Sequence, residues 1–467
     1  MNEYEDTRVI ESVIARARVA QKNYENGASQ ERYDIASQAV AWAVMEPNHN
    51  LELAKLAVET TGLGNIEDKI IKNHRKTLGL MRDLKSIQTC GVIMEDSVKG
   101  ITEIARPLGV VGSVVPSTNP VATPANNIIN ALKCGNAIVV APSPKGVASC
   151  ELLIKFIYLE FDKIGLNKDL VQMIPGIGSK IKTQKMMELS DRVICTGSQN
   201  NVKRAQTCGT PVVAVGTGNV TVIVDETADL VDAAKKISVS KTFDNATSCS
   251  SENAIIVIDQ VFDRFKDAVA LERGLVIKDE ASVVERLWQN GELNRSVIAQ
   301  DADKMIAALG LTEKVSKETK FLLVETTGIG SQYPLSGEKL SLVVALYRAK
   351  NFREATELAD KLFSHQGAGH SIGLHTTDET RPNQLGLLLP TCRVIVNQAH
   401  ALATGGSFNN GMPFSLSMGC GSWGGNSIDE NLNWKHFIQT TKIIREILPN
   451  EPTVEEIFDN YWTKFNK

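Results

Sequence analysis

Cys249 stands in KTFDNATSCSSENAIIVID (241–259), where helical sequence gives way through the ten small or polar residues 244–253 to an apolar strand. A thiol in such a loop stays reachable, and its thiolate is a strong nucleophile toward an electron-poor carbon. Seven further cysteines, at 90, 134, 150, 195, 208, 392 and 420, compete for that role. Cysteines in a core-rich chain are mostly small buried hydrophobes, and of the eight only Cys249 and Cys420 lie in small-residue loops rather than in or beside apolar strand and helix patterns. Asn119 closes the turn Pro116-Ser117-Thr118-Asn119-Pro120 after the strand VGSVV. The prolines would hold its amide rigidly at the ligand edge of the sheet, although an asparagine beside proline commonly only caps a turn. In CTGSQNNVKRA (195–205) a strand end opens a helix, so Gly197 and Ser198 present free N–H groups suited to phosphate; a simple turn is the alternative.

Short apolar strands at 111–116, 136–142, 170–175, 191–197, 212–216 and 220–225 alternate with helices at 123–133, 147–163 and 199–207. Alternation of this kind predicts a doubly wound α/β domain: a parallel sheet covered on both faces, with ligands at the carboxyl ends of its strands. A second alternating set, with strands at 254–259, 320–325, 341–347, 370–376 and 393–397, predicts a second α/β domain. The expected division is a dinucleotide-binding domain over 1–87 and 109–227, an oligomerisation hairpin over 88–108, and a catalytic domain over 228–425. Residues 426–467 are expected to pack back on the cofactor domain or on a neighbouring subunit, in a homodimer or homotetramer.

The chain has 467 residues and a formal net charge of −4, with both signs interspersed. No basic stripe exists for nucleic acid or anionic lipid. Val9, Ile10, Val13, Ile14, Ala17 and Ala20 recur at helical spacing, so the chain is expected to open with a helix of the fold rather than a leader, in the cytoplasm. The cysteines form no CxxC pair and have no histidines at zinc spacing, so neither a disulfide framework nor a metal is expected.

KTFDNATSCSSEN resembles the nucleophile segment of CoA-acylating aldehyde dehydrogenases. VVPSTNP (114–120), APSPKGVASC (141–150), PVVAVGTGNVTVIVDETADL (211–230) and LSMGCGSWGGNSIDEN (416–431) match in the same order. The resemblance implies that Cys249 attacks the aldehyde and that Asn119 and the Cys249 amide stabilise the resulting oxyanion. It implies that His370 assists a thiol step, although an isolated histidine is more often structural. It places the dinucleotide against Ser117, Thr118, Ser143, Lys145, Thr196, Gly197, Ser198, Gly216, Thr217, Gly218 and Glu338. Hydrolytic relatives carry a glutamate two residues before the strand-end glycine and a glycine four residues after the Ser198 position; here those positions are Ala214 and Val202. Without a base to activate water, the acyl-enzyme is expected to be released by the thiol of coenzyme A.

The stretches DKIIKNHRKTLGLMRDLKSIQTCGV, GITEIARPLGVVGSV and STNPVATPANNIINALKCGNAIVVAPSPKG are similar to the acylating sulfoacetaldehyde dehydrogenase branch. A sulfonate needs cations or hydrogen-bond donors, and the expected ones lie in NQAHALATGGSFNNG: His400, Thr404, Ser407, Asn409 and Asn410. Acetaldehyde, butyraldehyde and succinate semialdehyde are the alternative substrates. After the strand NAIVVA the chain runs Pro142-Ser143-Pro144-Lys145 with no carboxylate, which favours NADP over NAD. An acyl-phosphate reductase and a non-catalytic scaffold are the rival readings.

Overall fold

The computed structural model describes residues 3–176, 178–313 and 315–465. Five parallel strands form the first sheet in the order Val171–Met173, Ala137–Pro142, Val110–Val115, Arg192–Thr196, Val212–Val215. Val110–Val115 and Ala137–Pro142 are buried throughout, which is why they read as unbroken apolar runs. The sheet builds outward one way from Val110–Val115 through the next two strands and then reverses at Arg192–Thr196. A crevice opens at such a reversal, beyond the carboxyl ends of the strands. The turn 116–119 and the loop 196–198 are the two walls of that crevice.

The second sheet has seven parallel strands, ordered Gly274–Ile277, Phe321–Glu325, Val343–Ala349, Glu252–Ile258, Val220–Val224, Ile372–His375, Val394–Val396. Val220–Val224 therefore belongs to the catalytic sheet and not to the cofactor domain, and the expected boundary after residue 227 moves to the crossing segment 216–219. Each sheet has its own buried core.

Helix Ile66–Leu84 buries Leu80 and Leu84 near its end but cations over its first part. It buries Lys69, Lys72, Asn73 and Lys76 while Ile71 and Leu78 face solvent, because the buried cations find anionic and carbonyl partners around the crevice. Strands Gly91–Asp96 and Ile101–Pro107 form an antiparallel hairpin over the region expected to be one. Its third strand, Ile438–Ile444, comes from the far end of the described chain. Helix Val454–Phe465 buries none of its residues against the rest of the protein. Among the described residues no helix is long and apolar enough to cross a membrane.

Candidate active site

A cavity of about 300 Å³ joins the crevice to the loop that precedes strand Glu252–Ile258. Ser117, Thr118, Asn119, Thr196, Gly197, Ser198, Gly216, Thr217, Cys249 and Glu338 all line it, so the structure brings together ten of the residues that the resemblance implies, from five separated segments. Ser198 caps helix Gln199–Gln206 through its Oγ, and the first amides of that helix have no partner within it. Gln199 ties the two glycine-bearing loops together through Thr217 Oγ1 at 3.0 Å.

The loop expected to keep the thiol reachable is itself mostly buried. Asp244, Asn245, Ala246, Thr247, Ser250 and Ser251 are buried, while Cys249 is partly accessible. Asp244, Asn245 and Ala246 all have positive φ, at 49°, 53° and 59°, a conformation that costs non-glycine residues about 1–3 kcal/mol each. The loop is clamped to hold it. Asp244 accepts from Lys69, Lys72, Thr247 Oγ1 and the Asn65 amide, and Asn245 donates to Asp301 at 2.8 Å.

Lys72 also donates to Asn119 Oδ1 at 3.0 Å. A lysine ammonium only donates, so Oδ1 must face Lys72 and the amide nitrogen of Asn119 is left as the free donor. The Cys249 amide is engaged by no other backbone group among the described residues, which makes a second donor available beside the thiol.

His370 is buried, with Nε2 3.4 Å from Cys249 Sγ and Nδ1 2.7 Å from Ser371 Oγ. Burial, followed by Arg393 and His400, lowers its pKa to about 3, so the ring is neutral. Arg393 fixes it by donating to the His370 carbonyl at 3.0 Å and to that of Gly419 at 2.8 Å. Burial, Glu338 and Cys420 push the Cys249 thiol up to about 12, against the pull of its own amide and of Arg393. Below that value the thiolate fraction grows tenfold per pH unit. Alkylation of Cys249 by iodoacetamide is therefore expected to accelerate about tenfold per pH unit from pH 6 to 9; levelling below pH 8 would mean a stabilised thiolate instead.

Gly218 passes close behind the nucleophile. A Cβ there would lie 2.4 Å from the Cys249 carbonyl oxygen and 3.1 Å from the His370 ring. Gly218→Ala should lower stability by about 1–3 kcal/mol, measured as the denaturation midpoint; an unchanged midpoint would show slack in the loop. The Gly218 amide donates to Glu338 Oε1 at 3.3 Å. Burial raises Glu338 to about 8, so it is a neutral acid near pH 7, and no other carboxylate lines the cavity among the described residues. Ala214, in the strand position where a hydrolytic base is expected, is buried beside Cys195.

Ser143 and Lys145 lie outside this cavity, at the carboxyl end of the neighbouring strand Ala137–Pro142. Ser143 Oγ is buried without a hydrogen-bond partner among the described residues, and Lys145 makes only a 3.5 Å contact to the Thr61 carbonyl. An orphaned hydroxyl and a loosely held ammonium beside the crevice fit the ribose end of a dinucleotide.

The five residues expected to meet a sulfonate do not line the cavity. His400 bonds to the Ser250 carbonyl through Nδ1 at 2.9 Å, Thr404 bonds to the His400 carbonyl at 2.8 Å, Asn409 accepts from Ser407, and Asn410 donates to Gln398 at 3.0 Å. Apart from His400 Nε2, which is buried without a hydrogen-bond partner among the described residues, these contacts belong to the folding of the loop. The surface that loop gives the cavity is Ala401, Leu402 and Gly405, whereas the cations are Lys72, Arg75 and Lys76 of helix Ile66–Leu84. Sequence reasoning missed them, although three lysines and an arginine spaced 69, 72, 75, 76 share one helical face. Cys420, expected to be accessible, is buried with 4% exposure; Cys90, Cys208 and Cys392 are partly exposed, away from the cavity.

The paired α/β sheets, the crevice at the strand reversal and the thiol facing it define a class. Residues 3–276 match the Aldehyde dehydrogenase family, and the chain belongs to that family. It is 51% identical over 460 residues to a sulfoacetaldehyde dehydrogenase (acylating) of Cupriavidus necator, covering 98% of this chain and 93% of that one. It is also 35% identical to a succinate-semialdehyde dehydrogenase (acetylating) of Clostridium kluyveri, covering 93% and 95%. The crystal structure of an acetylating aldehyde dehydrogenase from Geobacillus thermoglucosidasius superposes with a TM-score of 0.91 at 30% identity, covering 97% and 99%.

Proposed function

We propose that the protein is a CoA-acylating aldehyde dehydrogenase acting on sulfoacetaldehyde: it joins the acyl group to Cys249 and passes it to the thiol of coenzyme A. The observation that carries the acylating reading is that, among the described residues, no ionised carboxylate lines the cavity of Cys249, with Ala214 in the strand and Glu338 protonated near pH 7. The excess of cations on the substrate-facing helix supports an anionic aldehyde.

Cys249 Sγ attacks the aldehyde carbon, and its proton leaves toward His370 Nε2. A ring of such low basicity takes the proton only as the carbon–sulfur bond forms, so no thiolate–imidazolium pair is stored at rest. The Asn119 amide and the Cys249 N–H hold the oxygen as charge develops. The bound dinucleotide supplies the hydride acceptor. What remains on Cys249 is a thioester. Water meets no carboxylate base there among the described residues, and so weakly basic a ring as His370 activates it poorly, whereas a thiol is intrinsically nucleophilic near neutral pH. His370, having released the first proton to solvent, takes the thiol's proton and returns it to Cys249 Sγ as that sulfur leaves.

NADP is favoured over NAD because Ser143 and Lys145 stand where a ribose-gripping carboxylate would exclude a 2′-phosphate. The eight free cysteines suit a reducing cytoplasm. Apolar side chains exposed on helix Val454–Phe465, such as Ile457 and Tyr461, support a homo-oligomer.

One spectrophotometric experiment tests the reading. Beyond one equivalent per thiol, reduced cofactor should form with sulfoacetaldehyde only when coenzyme A is present, with kcat/KM at least about tenfold above that for butyraldehyde and higher with NADP than with NAD. Equal formation without coenzyme A, or with phosphate in its place, would overturn it.

A further inference from the structure

Helix Ile66–Leu84 brings two kinds of cation to the cavity. Lys69 and Lys72 share Asp244. Arg75 and Lys76 form no ion pair with any carboxylate among the described residues. Arg75 Nη2 donates to the Leu402 carbonyl and to Ser407 Oγ, both at 2.9 Å, while its Nε and Nη1 have no hydrogen-bond partner among the described residues. Lys76 is buried and held by the Gly405 and Ser415 carbonyls.

Keeping a cation out of water without a counter-charge is costly, and an arginine tolerates it best where an oxyanion completes its fork. The two contacts of Nη2 fix the guanidinium plane, so its remaining donors are set in place before any ligand arrives. Arg75 lines the same cavity as the thiol. Glu338, the cavity's only carboxylate among the described residues, is tied to Gly218.

We infer that Arg75 is the sulfonate anchor: its free donors bind the sulfonate oxygens of the substrate and so turn the aldehyde carbon toward Cys249, with Lys76 adding positive charge behind it. The inference rests on the sulfoacetaldehyde reading above. Burial and the neighbouring Arg75 lower Lys76 to about 7, and an anion between the two would keep it charged. The loop at 400–410 then acts indirectly, Ser407 and Leu402 aiming Arg75 rather than touching substrate.

The test compares the intact protein with Arg75→Gln and Arg75→Lys by the ratio of kcat/KM for sulfoacetaldehyde to that for propionaldehyde. The ratio should fall about 100-fold in Arg75→Gln and less in Arg75→Lys. Independently of turnover, ethanesulfonate should slow iodoacetamide alkylation of Cys249 in the intact protein and not in Arg75→Gln. If the intact protein prefers sulfoacetaldehyde but Arg75→Gln keeps the ratio, or is protected equally, the Arg75 assignment is overturned while the substrate reading stands. If the intact protein prefers propionaldehyde or succinate semialdehyde, the substrate reading falls and takes the inference with it.

Discussion

Cys249→Ala should lower acyl-CoA formation by at least about 10⁴-fold, the scale of loss when an enzyme's covalent nucleophile is removed. The size of the effect follows from the cavity being lined by no second thiol among the described residues: Ser248 and Ser250 flank Cys249 but bond to each other at 2.7 Å, and Cys420 is buried and turned to the Met418 carbonyl. The altered protein should keep its denaturation midpoint, since Cys249 itself clamps nothing; the loop is held by Asp244 and Asn245. Mass spectrometry should find one thioester on the intact protein supplied with aldehyde and dinucleotide but no coenzyme A, and none on Cys249→Ala. Retention of more than about 1% of the activity would remove the sulfur from the mechanism.

Asn119→Ala should lower kcat by about 10²–10³-fold with a much smaller change in KM, as expected for a donor used fully only in the transition state. Asn119→Asp separates the two roles open to this side chain. Aspartate would keep, and strengthen, the bond that Lys72 makes to position 119, but it cannot donate to an oxyanion. If the amide is the donor, Asp is as damaging as Ala. If Asn119 merely anchors the turn, Asp should restore activity, and that result would exclude the oxyanion role.

The parts of the protein legible in its sequence are those set by local pattern. Parallel strands buried on both faces, such as Val110–Val115 and Ala137–Pro142, must be continuous apolar runs, and the residues at their carboxyl ends inherit the crevice. The edge strand Gly274–Ile277 escaped because it is four residues long and mostly half-buried, so it lacks that signature. The cations of helix Ile66–Leu84 were missed for a different reason: nothing in a lysine row shows that it is buried until the distant partners Asp244, Gly405 and Ser415 are known. The reverse error occurred at 400–410, where polar side chains looked free for a ligand and are consumed by their own turn. In both places the deciding fact is which groups are already bonded, which spacing along a chain does not encode.

The sheet that carries the hairpin is completed by residues made much later than the hairpin itself, with 332 positions separating Pro107 from its neighbour Gln439. During synthesis the Ile101–Pro107 edge must wait with its backbone groups open, and an open edge of that kind recruits strands from other molecules. Pairings so distant in sequence form slowly. Ribosome crowding or premature termination before Ile438 should thus yield insoluble product even though both α/β cores are already encoded, and the yield of native protein should depend on expression rate more than on temperature.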